Sequence, residues 1–189
     1  MTIDKSEAAA ALDDIASIVE RVKQSTFYRN AGAILVMWGV LVACGYLATY
    51  LMPARGGLIW IALHIAGTGG TIALLRRQRL QAGHVLQARG AADLRALAAL
   101  ALFFGFGILW SVVLGRMGAR EMNAFWPTLF MFGYTLAGLW FGRAFIALGL
   151  TITALTVVGY LWAGPLFEPY MAIVDGGGLI LCGLWMRRA

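Results

Sequence analysis

Charge is scarce in this sequence. Only 13% of its 189 residues are Asp, Glu, Lys or Arg, while 61% are hydrophobic; soluble domains carry about 25% charged residues. Too little polar surface remains to coat a water-soluble globule. Histidine and cysteine are scarcer, with two of each. His64, His84, Cys44 and Cys182 lie too far apart for zinc-ligand spacing, and no Cys-x-x-Cys or haem-attachment motif is present. Cys44 and Cys182 fall at different depths in apolar stretches, which argues against a disulfide between them. Phosphate-binding Gly-Lys loops, G-x-S-x-G elbows and H-E-x-x-H pairs are also missing. A hydrolase working inside a membrane needs a positioned Ser with His, or two facing acids, and only Asp175 lies deep in an apolar span. Neither enzyme activity nor a metal or other cofactor is expected. The first thirty residues hold five acids (Asp4, Glu7, Asp13, Asp14, Glu20) and no apolar core, so no cleavable signal is expected and the first apolar span should persist as an anchor.

What is present is a series of long apolar runs. Six spans approach the roughly 20 residues needed to cross about 30 Å of hydrocarbon: Ala31 to Met52, Gly57 to Leu75, Ala96 to Leu114, Ala124 to Phe141, Ala144 to Trp162 and Tyr170 to Met186. A tight turn at Gly142 and Arg143 separates the fourth from the fifth. The expected fold is all-α, a polytopic transmembrane bundle over residues 31–189 with a basic loop at 76–95. Ahead of it, residues 1–30 read as an amphipathic cytoplasmic helix, with Leu12, Ile15, Val19 and Val22 on one face and Asp4 as N-cap. That helix is expected to lie on the membrane surface or against the bundle, or to serve as a partner-binding arm.

Basic residues supply an orientation, because Lys and Arg collect in cytoplasmic connections. With the N-terminus inside, Lys5, Arg21, Lys23, Arg29, Arg76, Arg77, Arg79, Arg89, Arg95, Arg143, Arg187 and Arg188 share the cytoplasmic side. Only Arg55, Arg116 and Arg120 fall opposite, and an odd number of spans would spoil the partition. The net charge of +6 therefore reads as topology and attraction to lipid headgroups rather than as a nucleic-acid footprint. Tyr50, Trp60, Trp126, Trp162 and Tyr170 fall near outer span ends, and Tyr28, Trp140 and Trp185 near inner ones, as interfacial anchors do. A bacterial inner membrane suits this pattern.

The even-numbered spans end alike. Gly67, Gly133 and Gly178 each stand ten residues before Arg77, Arg143 and Arg188, and Gly-Leu-Trp recurs at 138–140 and 183–185. Three parallel helical hairpins packed about an axis along the membrane normal would explain this, with the aligned glycines as helix-packing positions. Mitochondrial carriers share that plan, but they are longer and their repeated proline, acid and base signature is missing here.

Two ionisable residues fall inside the apolar spans, Asp175 and His64. Each precedes its terminal arginine by thirteen residues, about 20 Å along a helix. An ionisable group at that depth costs several kcal/mol unless it faces the bundle interior and finds a partner. One expectation is that the two share a polar cavity and bind a cation, a proton or a polar ligand, helped by the carbonyls of Gly176, Gly177 and Gly178. The alternative is structural, with Asp175 hydrated at the outer interface and His64 bonded to a neighbouring backbone. Two functions follow. The leading one is a membrane-embedded interaction or sensory subunit, acting through helix packing, the N-terminal helix and the 76–95 loop. The other is a small transporter, channel or ligand-binding protein centred on Asp175 and His64.

Overall fold

A computed structural model describes the backbone of residues 5–81 and 90–188, and the side chains of residues 28–78 and 98–188. It is an all-α bundle with no strand among the described residues. The first helix, α1, spans Lys5–Leu51 without a break. No Gly or Pro occurs between Lys5 and Ala31, so nothing in the sequence interrupts the ladder there. The separate N-terminal helix and first span expected above are thus one rod. Their expected N-cap, Asp4, lies outside the described residues.

A 3-10 turn at Pro53–Arg55 leads into α2, Gly56–Gln81. Next come α3, Gly90–Ile108, prolonged by π-helical turns over Leu109–Leu114, and α4, Ala119–Phe141. Gly142, at φ 123° and ψ 159°, reverses the chain into α5, Arg143–Trp162. Only glycine adopts that conformation cheaply. The last rod consists of α6, Phe167–Met171, π-helical turns over Ala172–Gly177, and α7, Gly178–Met186. Much of the loop expected at 76–95 is helical, because Arg, Gln, Leu and Ala carry α2 on until Gly83 approaches. His84 and Arg89 lie outside the described residues.

Four stretches are long and apolar enough to cross a membrane: Tyr28–Leu51, Pro53–Gln78, Arg143–Trp162 and Gly164–Met186. Ala98–Leu114 is apolar but shorter. In α4 the first turns hold Arg120, Glu121 and Asn123, which lowers its hydropathy.

Small residues decide which helices meet. A β-carbon at Gly39 would lie 2.7 Å from the Gly176 carbonyl oxygen, and one at Gly183 would lie 2.7 Å from the Gly32 carbonyl oxygen. On α1 the contact positions Gly32, Val36, Gly39 and Ala43 form one stripe at 100° per residue. It runs antiparallel to Gly176, Ile180 and Gly183 of the last rod, backbone against backbone. The α4–α5 hairpin closes similarly, with Gly138 against Ile146 and Gly149 against Met131 and Thr135. Leu35, Met131, Phe145, Leu148, Ile152, Leu179 and Met186 fill the space between these pairs. Towards the other end, Tyr46, Phe167, Met171 and Ala172 form a second buried cluster.

The outer helices attach through aromatic side chains. On α2, Gly67 sits under the Trp38 ring and Gly70 under Met37. Phe103 and Phe104 of α3 meet Trp126 and Phe130 of α4. The core is therefore made by α1, α4, α5 and the last rod, with α2 and α3 outside, so the three hairpins do not contribute equally. The repeated glycines nonetheless share a feature. Gly67 meets Trp38, Gly133 meets Phe103 and Gly178 meets Ile152, each on the preceding long helix.

The start of the first apolar stretch and the end of the last rod lie at one end of the bundle. Tyr28 pairs with Phe145 just after the α4–α5 turn, Gly32 adjoins the Arg187 side chain, and Gln78 donates to the Asn30 carbonyl oxygen. These contacts bring together the segments that carry Arg29, Arg76, Arg77, Arg143, Arg187 and Arg188. At the opposite end, Arg120 donates to the Tyr160 carbonyl oxygen at 2.7 Å and lies over the Tyr160 and Phe167 rings.

Candidate functional site around Asp175

Asp175 sits in the π-helical stretch Ala172–Gly177, where the last rod crosses α1. Its side chain is 3% exposed, and Oδ1 is buried with no hydrogen-bond partner. It neither caps its helix nor lies at a hydrated interface. A π turn widens the backbone and displaces hydrogen bonds, and such turns are frequent at functional sites. Here the Gly178 N–H reaches the carbonyl oxygens of both Asp175 and Val174. Gly176 explains the tight seat: a β-carbon there would touch the α1 backbone at Ala43. A β-carbon at Gly177 would meet nothing within 4 Å.

Two tyrosines lie within electrostatic reach of the carboxyl group, Tyr46 from α1 and Tyr134 from α4. Tyr46 is 1% exposed and donates its hydroxyl hydrogen to the Asn123 carbonyl oxygen at 2.8 Å. Tyr134 stacks on Phe145 with ring centroids 6.1 Å apart.

His64 occupies a different place. It is half-buried on α2 between the rings of Trp38 and Trp60, and its Nδ1 lies 2.8 Å from the Trp60 carbonyl oxygen one turn earlier. On α1, Met37, Trp38 and Gly45 meet α2 from the side opposite Gly39 and Ala43, while Tyr46, on the Gly39 side, reaches the Trp60 ring of α2. His64 thus lies against Trp38 on one face of α1, whereas Gly176, next to Asp175, lies against Ala43 on another. No hydrogen bond joins Asp175 to His64, and their matching distances to Arg188 and Arg77 fix axial depth but leave rotation about the helix open.

The aromatic residues assigned to interfaces divide as well. Trp162, Trp140 and Trp185 are exposed, whereas Trp60 packs on Tyr46 with centroids 5.0 Å apart and Trp126 packs into the α3–α4 contact. Cys44 and Cys182 are free thiols. Among the described residues no group of three His, Cys, Asp or Glu side chains could hold a metal ion. Sequence reasoning missed the polar cluster at the Arg120 end. Asn123 Nδ2 stands 3.5 Å from Glu168 Oε1, and the Tyr160 hydroxyl stands 3.5 Å from Glu121 Oε1. The available signal was the run Arg120, Glu121, Asn123 opening an apolar helix.

No protein-family model matches the chain, and no curated protein and no solved structure is similar to it.

Proposed function

We propose that the chain is an integral membrane protein with six crossings and both ends in the cytoplasm, working as a membrane-embedded interaction subunit. Its partner is another transmembrane helix, seated on the outer face of α2. The observation that carries this reading is how little α2 is buried. Only 6% of its apolar stretch is buried, against 33% for α5 and 39% for the last rod. The bare face is built for packing. Ala62, Ala66, Gly69 and Ala73 are all exposed and fall within one narrow stripe, flanked by Leu58, Ile65 and Ile72. Small residues at this spacing let helices approach closely in a bilayer, whereas lipid tails are met as well by leucine. Within the chain, Gly32, Val36, Gly39 and Ala43 use the same spacing to seat the last rod.

Two further features support the reading. About half of α1 precedes Tyr28, roughly 35 Å of helix, which is available to a cytoplasmic partner. The basic segments gathered at one end suit a cytoplasmic face with anionic lipid, in a bacterial inner membrane.

Cysteine crosslinking in native membranes tests the proposal, with Ala66→Cys placed in a background of Cys44→Ala and Cys182→Ala. A protein adduct, to a second copy or to another chain, is expected, and Gly69→Leu should abolish it. An adduct unaffected by Gly69→Leu, or none where a photoreactive group at the same position captures only lipid, would remove the α2 partner. A reporter fused after Arg188 tests the topology and should remain cytoplasmic.

A further inference from the structure

The buried carboxyl group has no part in that partner reading and calls for its own account. We infer that Asp175 is a proton-binding site inside the bundle. A proton adds to its carboxylate to give the neutral acid and leaves again to water, without help from His64.

Charge provides the first argument. A carboxylate buried without a counter-charge costs several kcal/mol, so a proton or a cation must accompany the group. Among the described residues no cationic side chain pairs with Asp175, and Oδ1 has no hydrogen-bond partner. The neutral acid removes the charge and turns one oxygen into a donor.

Ligand supply favours the proton over a metal ion. Calcium takes six to eight oxygen ligands and magnesium near-octahedral geometry. No second carboxylate joins Asp175, and no group of three metal-ligating side chains occurs among the described residues. The titratable groups that interact with it are Tyr46 from α1 and Tyr134 from α4; one step further out, Glu168 of α6 interacts with Tyr46 and Cys182 of α7 with Tyr134. On α5, Ile152 meets Gly178, and the buried Thr156 donates its hydroxyl hydrogen to the Ile152 carbonyl oxygen, so α5 brings no charged group there. Of these groups Glu168 is the other acid, and it is half-buried at the Arg120 end beside Asn123.

Backbone geometry is the second, independent argument. Within the last rod the π turns fall where Asp175 stands, and Gly176 and Gly177 follow it. Glycine in a helix interior costs about 1 kcal/mol relative to alanine. Gly176 is explained by the pressure of Ala43, but Gly177 touches nothing that requires a missing side chain. A loosened turn directly after the carboxyl group lets that group reorient as it gains or loses its proton.

The test uses the full chain in vesicles of neutral lipid and a hydrophobic carbodiimide, which adds to a protonated carboxyl group but not to a carboxylate. Peptide mass mapping separates Asp175 from Glu121 and Glu168. Labelling at Asp175 is expected to fall about tenfold per pH unit above its midpoint, to be indifferent to sodium, and to be unchanged in His64→Ala. Infrared spectra of the wild-type protein should show a protonated-carboxyl band that disappears over the same pH range. The band should be absent from Asp175→Asn and retained, shifted, in Asp175→Glu. Protection by sodium or calcium at constant pH would replace the proton by a cation and overturn the inference. A flat pH profile, or no labelling in a wild-type protein that shows no protonated band, would overturn it as well.

Discussion

The two sides of α1 meet their neighbours by different means. Towards the last rod, glycine faces backbone: Gly39 abuts the Gly176 carbonyl and Gly183 abuts the Gly32 carbonyl. Towards α2, glycine faces side chains: Gly67 lies under Trp38 and Gly70 under Met37. A side chain can swing aside when crowded, whereas two helix backbones must part along their whole length. The first seam therefore fixes the fold, and the second holds α2 with tolerance to spare.

The largest effect is expected at the first seam. Gly39→Ala would place its methyl 2.7 Å from a carbonyl oxygen and 2.8 Å from the Ile180 nitrogen. Overpacking typically costs about 1–3 kcal/mol, and rigid neighbours put this site at the upper end. Equilibrium unfolding in mixed detergent would measure it; an undisturbed protein would show that the helices can separate freely. Gly67→Ala should cost less, about 1 kcal/mol, because the Trp38 ring can move. That movement would break the Trp38 Nε1 hydrogen bond to Thr71 Oγ1, 3.0 Å long, so altered tryptophan fluorescence should accompany it. If Gly67→Ala proves as damaging as Gly39→Ala, the contrast between the seams fails.

Tyr46→Phe probes the buried end of the first seam. It removes the hydrogen bond to Asn123 and should cost about 1 kcal/mol, with the same unfolding assay as readout. The smallest effect is expected at Gly69, where a β-carbon would meet nothing within 4 Å. For Gly69→Ala the isolated chain should be unchanged or gain up to about 1 kcal/mol from helix propensity. Comparing its stability in detergent with its crosslinking in membranes separates folding from association.

The helices were legible because apolar length and basic flanks are properties of composition. The Gly142 turn was legible too, since an unbroken helix from Ala124 to Trp162 would overrun a bilayer. Less accessible was which face of each helix turns inward. Asp175 and His64 match in depth, yet depth in sequence says nothing of rotation, and the two lie against different faces of α1. The burial of Asp175 was legible only as one of two alternatives, because hydration at a helix end and enclosure by α1 depend on contacts more than a hundred residues apart. The π turns followed no visible pattern beyond Gly176, Gly177 and Gly178. Continuity of α1 could have been read from the absence of Gly and Pro between Lys5 and Ala31; the change from amphipathic to uniformly apolar residues obscured it.

That continuity has a mechanical consequence. A helix without a break behaves as a drive shaft, carrying torque from one end to the other. The residues ahead of Tyr28 and the stripe Gly32, Gly39 and Ala43 belong to the same shaft. Because Ala43 bears on Gly176, next to Asp175, a twist applied to the N-terminal portion is delivered to the one acidic side chain enclosed by the described core.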